Sequence, residues 1–406
     1  AYTLIITTAI FPVFFKTYVA ADLDDATSTA YLGYANSIAL LLIAVIAPIM
    51  GTLADQRGFK KKLFVLFLAL GLGATVALTL VDAGDIYFSL IVYAITSIGF
   101  YAAVVFYDAF LVDATTEERS DWISSSGFAW GYLGSLLPFA LCLGLILGHS
   151  ALGLESSLPM TRLAFIITAV WWLAFSVPLM RNVKQQYGIE PTSNPIGATF
   201  AQLGRTLRNI RQYREVVLFL AAFFLYIDGV HTIIKMAAPF GLDLGLDSQT
   251  LLIVIAVVQL VGFPSALIYG ALARRFGTKP LLLFGVGTYM VITLLAFFMY
   301  APWHFWVLGI LVGTAQGGVQ ALSRSYFSRI IPKQHAGEFF GFYDIFGKFA
   351  AILGPAMVGF IAQFTGNSQS GVLSLIILFV AGAALLLMVR EDRSAGGTQG
   401  GRLEDA

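Results

Sequence analysis

The stretch Gly51-Thr-Leu-Ala-Asp55-Gln-Arg57-Gly58-Phe-Lys60 recurs in altered form as Gly270-Ala-Leu-Ala-Arg274-Arg-Phe-Gly277-Thr-Lys279. Gly51/Gly270, Leu53/Leu272, Ala54/Ala273, Gly58/Gly277 and Lys60/Lys279 agree at a single offset, 219. Five matches in ten positions at one spacing imply an internal duplication, and membrane transporters are commonly built from such repeats. The residue types have physical reasons. Gly51 permits close approach of a neighbouring helix, and Gly58 permits a turn with positive φ. The basic residues, Lys60 among them, are expected to hold the segment at an anionic membrane leaflet. Asp55 is placed either to pair with Arg57 or to face the N-terminus of a neighbouring helix. In the second copy Arg274 stands where Asp55 would.

On both sides of these loops the chain is apolar. Of its 406 residues 58% are hydrophobic and only 12% charged, about half the charge a soluble domain carries. Lipid must therefore be the solvent for most of the surface. Apolar runs of roughly 20 residues, the length that crosses a bilayer, fall near 1–20, 31–54, 62–82, 86–112, 122–148, 161–180, 214–240, 248–273, 280–300, 303–330, 337–365 and 370–389. They predict an all-α polytopic membrane protein of 12 transmembrane helices in two pseudo-symmetric six-helix halves. An outer-membrane barrel would instead show short alternating segments. The chain begins at Ala1 in sequence that is already apolar, so the first helix is expected to lack its start, and no cleavable signal peptide is evident.

Twenty of the 24 Lys and Arg fall in the connections after even-numbered spans and in the C-terminal tail, counting Arg324 and Arg329 with the connections. The opposite loops are short and acidic or neutral, such as Asp22-Leu23-Asp24-Asp25. The positive-inside rule then puts both termini in the cytoplasm of a cell with a bacterial-type inner membrane. The domain reading is an N-terminal half over 1–180, a linker over 181–213, a C-terminal half over 214–390 and a disordered tail over 391–406. Within the linker, Ile196, Phe200, Leu203, Leu207 and Ile210 share one helical face while Arg205, Arg208 and Arg211 share another. This is the pattern of a basic amphipathic helix lying on the leaflet.

The Gly51–Lys62 loop resembles the Gly-x-Leu-Ala-Asp-x-x-Gly signature of the major facilitator superfamily. Phe11-Pro12-Val-Phe-Phe-Lys16, Phe106-Tyr-Asp108-Ala-Phe-Leu, Gly127-Phe-Ala-Trp-Gly131-Tyr-Leu-Gly134 and the segment from Gly317 through Asp344 and Lys348 to Pro355 sharpen the likeness. They are similar to the "unknown major facilitator" family, related to the autophagy-named fungal vacuolar amino-acid effluxers. The resemblance implies a cytoplasmic gate formed by Gly51, Asp55, Arg57, Gly58 and Lys60, with Gly270, Arg274, Gly277 and Lys279 as the repeat. It also implies that the first and seventh spans face each other across a central cavity, and that an amino acid is a candidate cargo.

Ionisable residues at bilayer depth cost about 2.5–3.5 kcal/mol each and are functional candidates by default. Here they are Lys16, Asp108, Asp228, His231, Lys235, Asp344 and Lys348. Lys16 and Lys235 are related by the same offset of 219. Asp228, His231 and Lys235 share one helical face, as do Asp344 and Lys348, which could also be a plain structural ion pair. Lys16, Lys235, Lys348 and the neutral Gln320 are the candidate cargo ligands, and Asp228, His231, Asp344 and Asp108 the candidate proton carriers. The bland alternatives are snorkelling for Lys16, Lys235 and Lys348, the ion pair for Lys348 and Asp344, and satisfied interhelical networks for the α7 cluster and the neutral polar residues.

No phosphate-binding glycine loop is present, so ATP is not the expected energy source. Four histidines and the single Cys142 predict no zinc site, and no cofactor, nucleic acid or enzymatic activity is expected. The reading is a monomeric secondary transporter, proton-coupled, moving a small anionic or zwitterionic solute by alternating access. A lipid or amphiphile translocase on the same fold is the alternative, and a non-transporting receptor is disfavoured by the short loops.

Overall fold

In a computed structural model, residues 1–243, 248–299, 301–350, 353–366 and 368–390 are described. The tail expected over 391–406 lies outside them. Among the described residues, 11 helices are long and apolar enough to cross a membrane, and the shorter apolar helix Thr3–Val19 precedes them. The latter is α1. Its ends, Thr3–Ala9 and Phe15–Val19, are wound as π-helix around Pro12, a residue with no N–H to give to the regular ladder.

The other spans are α2 (Asp25–Ala54), α3 (Phe59–Ala77), α4 (Ile86–Ala109), α5 (Ser120–Leu147) and α6 (Leu158–Asn182), then α7 (Arg214–Asp243), α8 (Ser248–Phe276), α9 (Thr278–Phe297) and α10 (Pro302–Ile330). Two are interrupted. α11 runs as Ala336–Phe349 and Leu353–Thr365, and α12 as Ser368–Leu373 and Ile376–Met388.

The fold is that of two six-helix halves. They meet mainly along α2 with α11 and α5 with α8. The duplication maps α2 onto α8 and α5 onto α11, so the two crossings are equivalent under the internal pseudo-symmetry. Lipid tails are as apolar as the helices, so close backbone packing has to supply much of the attraction. At the first crossing a Cβ on Gly51 would lie 2.1 Å from the Gly337 carbonyl oxygen, and at the second a Cβ on Gly270 would lie 2.6 Å from Ser125 Cβ. Gly51 and Gly270 are thus points of close backbone approach between the halves.

The end of the bundle carrying both repeat loops is called the loop end below. Gly58 turns the chain from α2 into α3 with φ 83° and has open space around it. Gly58→Ala therefore meets only backbone strain. We expect a loss of about 1 kcal/mol, read as a small drop in the unfolding midpoint in detergent, with no change in the contact between α2 and α11.

The linker helix Pro195–Arg208 packs beside α2 at the loop end, its first turn capped by Asn194. Thr199 and Thr206 face the protein, while Ile196, Phe200 and Leu207 are exposed. The apolar face expected to contact the leaflet is the one left uncovered.

Candidate functional site

At the first crossing Asp55 Oδ1 accepts the Gly337 N–H at 2.6 Å and Oδ2 accepts the Glu338 N–H at 2.9 Å. These amides belong to the first turn of α11, where the helix leaves its donors unpaired and its dipole favours an anion. Burial pushes the Asp55 carboxyl up to about 8, against the pull of Lys60 and the two amides.

The remaining loop residues do other work. Arg57 pairs with Glu190 in the linker at 2.7 Å. Lys60 does not face the leaflet as its sequence context predicts. It is fully buried, 2.7 Å from Asp113, and Asp113 in turn accepts the Gln186 and Tyr187 N–H groups. Lys60 thus ties the α2–α3 loop to the end of α4 and to the linker. Lys279 caps the end of α12 through the carbonyls of Leu387 and Val389, and Arg274 lies over the Trp122 ring at 5.1 Å.

Beside the second crossing, α5 is tied to α9 and α10 by a residue the sequence reading passed over. Asp121, buried in the first turn of α5, accepts from Thr278 at 2.7 Å, Ser325 at 2.5 Å and Arg329 at 2.7 Å. An acid in a first helical turn opposite the second repeat was the available signal.

Deeper in, a charged group joins the halves. Arg324 is buried within α10 rather than lying in a connection. It donates to Asp108 of α4 at 2.8 Å and to the Ser124 hydroxyl of α5 at 2.9 Å. Its Cζ lies over the Phe128 ring at 4.7 Å and over the Tyr107 ring at 5.3 Å. On α11, Lys348 donates to Asp344 one turn earlier, and its ammonium lies 4.4 Å from the Tyr101 ring of α4. Asp344 and Lys348 are both within electrostatic reach of Asp108. Asp108, Arg324, Asp344 and Lys348 form one alternating set of two acids and two bases, spread over α4, α10 and α11. Gln320 is half-buried one turn before Arg324.

The α7 residues lie apart. Asp228 is fully buried and accepts the Gly354 N–H at 2.8 Å, which holds α7 against the second segment of α11. His231 is half-buried and Lys235 exposed, each successively nearer the far end of α7. Lys16 is half-buried within a turn of the far end of α1. At about 1.5 Å of rise per residue, that depth separates Lys16 from Arg324, which is six residues from the loop end of α10. The structure thus gathers Arg324, Asp344 and Lys348 around Asp108, and leaves Lys16, His231 and Lys235 outside that group.

The family described as vacuole effluxer Atg22 like matches residues 16–113 and 112–398. An uncharacterized MFS-type transporter of Bacillus subtilis, YxiO, is 46% identical over 98% of this chain and 94% of its own length. Autophagy-related protein 22-1 of Aspergillus niger is 26% identical over 67% of this chain but 47% of its own length, so the chain spans about half of that fungal relative. Among solved structures, the proton:xylose symporter XylE superposes with TM-score 0.71 over 95% of this chain and 91% of its own, at 14% identity. The fucose transporter FucP in the outward conformation superposes with TM-score 0.69 over 95% of each chain, also at 14% identity.

Proposed function

This chain belongs to the vacuole-effluxer Atg22-like family of major facilitator transporters, and from that premise we propose that it is a proton-coupled secondary transporter of a small anionic or zwitterionic solute. The observation that carries the reading is the Asp108–Arg324–Asp344–Lys348 set where the halves meet. An acid–base pair that is already internally satisfied can exchange partners at low cost. A cargo carboxylate or phosphate would take Lys348 from Asp344, and Asp344 would then accept a proton. Charged groups buried between transmembrane helices typically line such pathways.

In this reading the loop end faces the cytoplasm, in line with the bias of Lys and Arg toward it. The Asp55 and Asp121 clusters close that face, and alternating access consists of breaking and remaking them as the halves rock. Lys16, His231 and Lys235 lie nearer the opposite face and would meet the solute there, before or after the central set.

The test is uptake into proteoliposomes offered amino acids, organic acids and phosphorylated metabolites, with and without a pH gradient. We expect accumulation of one anionic or zwitterionic solute that collapses when the gradient is dissipated. Movement of labelled phospholipid with no response to any solute would overturn the reading. It would favour the second one, an amphiphile translocase, which rests on a largely apolar cavity between α7, α8, α9, α10 and α12. That cavity is lined by Ile233, Met236, Val254, Val258, Leu308 and Val312.

A further inference from the structure

At the first crossing more ligand chemistry is assembled than closure of the gate requires. Asp55 at the end of α2, His335 just ahead of α11 and Glu338 in its first turn each offer one donor atom, and these atoms lie within 4.8 Å of one another. Asp55 and Glu338 are 1% and 0% exposed. The Asp55 bonds to the α11 amides use one lone pair on each oxygen and leave the other pair available. Glu338 Oε2 accepts from Gln202 of the linker helix at 3.3 Å and lies 3.7 Å from His335 Nδ1, but neither Glu338 Oε1 nor His335 Nδ1, both buried atoms, makes a hydrogen bond. An orphaned carboxylate oxygen at complete burial is costly and needs an explanation.

We propose that Asp55, His335 and Glu338 form a binding site for a divalent transition-metal ion of the zinc type, which clamps α2 to α11 and holds the loop end closed. One imidazole nitrogen with two carboxylate oxygens is a borderline-soft N/O set. It suits zinc and its neighbours rather than magnesium or calcium, which prefer oxygen alone. The ion would satisfy both orphaned atoms at once and offset the repulsion between two buried acids. Three protein ligands leave a fourth position for water. Gln202 would orient Glu338 from outside the ligand set.

The site brings together residues 55, 335 and 338, a separation that explains why the sequence shows no metal-ligand spacing. The exposed Arg205 on the linker helix lies close enough to act on both His335 and Glu338. It is the countercharge an incoming cation must displace, which gives the site a built-in competitor. Ligand sets that span a closing interface bind one conformation only. The ion would therefore act as a brake on transport rather than as its cargo. The inference depends on the geometry of this crossing and not on the identity of the solute.

The test uses the full chain in detergent, without a polyhistidine tag, titrated with Zn²⁺ and followed by equilibrium dialysis and thermal unfolding. The expected result is one Zn²⁺ bound per chain and a rise in unfolding midpoint that a chelator reverses. His335→Asn and Glu338→Gln, both close in size to the native side chains, should each weaken binding by about tenfold or more. Arg205→Gln should strengthen it. The three remaining histidines are the control, since His231→Asn should leave binding unchanged. No Zn²⁺ bound by the wild-type chain, or equal binding in the His335 and Glu338 variants, overturns the proposal. Either outcome leaves the uptake experiment untouched, so the two readings fail independently.

Discussion

Arg324→Ala is expected to open the loop end. The guanidinium and Asp108 are 6% and 17% exposed, and removing one partner of a buried pair typically costs about 3–5 kcal/mol because the other charge is stranded. Here the stranded carboxylate has a way out. Asp108 belongs to the N-terminal half and Arg324 to the C-terminal half, so Asp108 can recover water if the halves part. The cost should therefore appear as a shift in population rather than as unfolding, by about a hundredfold or more. A cysteine placed at buried Ser328 in a Cys142→Ala background reports this shift through its reaction rate with a soluble maleimide. Labelling should accelerate strongly in Arg324→Ala and return most of the way to wild type in Asp108→Ala/Arg324→Ala. Equal rates in all three would remove the pair from the closure.

Gly51→Val is the second large effect. The new Cβ would sit 2.1 Å from the Gly337 carbonyl oxygen and 2.8 Å from its carbonyl carbon. Both are backbone atoms in a helix, so no side-chain rotation relieves the contact and α2 must move from α11. Overpacking of this kind costs about 1–3 kcal/mol or more, and separation also breaks the two bonds from α11 amides to Asp55. Spin labels at Lys62 and Arg275, one in each half at the loop end and both exposed, should shift to a longer distance. Gly33→Val on the same helix is the control, because nothing lies within 4 Å of its added Cβ. An unchanged distance distribution in Gly51→Val would mean the close approach is not what holds the ends together.

The sequence carried the fold through two signals that survive without three-dimensional information. Lipid-length apolar runs set the number of spans, and α1 is the one that falls short in the structure, at Thr3–Val19. The offset of 219 marked Gly51/Gly270 and Gly58/Gly277, and the first pair serves close approach while the second takes positive φ. Asp55 was legible as one of two placements, and the α11 N-terminus is the one it adopts.

What escaped the sequence are the partners of buried charges, which depend on contacts between distant residues. Lys60 reads as a leaflet-facing cation because its neighbours Lys61 and Lys62 are basic too, but Asp113, 53 residues away, draws it inside. Arg324 lies inside the apolar run over 303–330, yet its charge counts it with the connections, and Ser323, Ser325 and Ser328 make the end of α10 polar. Those serines bond within the helix and across the junction, and the helix runs to Ile330 as the apolar run predicts, so what escaped is the partner of Arg324. The set around Arg324 and the trio at Asp55 each join residues more than 200 positions apart. Spacing in the chain gives no hint of either.

In the proposed cycle the Lys348–Asp344 pair handles the cargo. The most direct test of this role compares uptake by wild type, Lys348→Ala and Lys348→Ala/Asp344→Ala for the solute that the proteoliposome panel identifies. The double variant removes both charges, so a loss there cannot be blamed on a stranded carboxylate. Gradient-driven accumulation, present in the wild type, should fall to the level of empty liposomes in both variants, while the Lys62–Arg275 distances still show a closed loop end. Accumulation at the wild-type rate in the double variant would contradict this role.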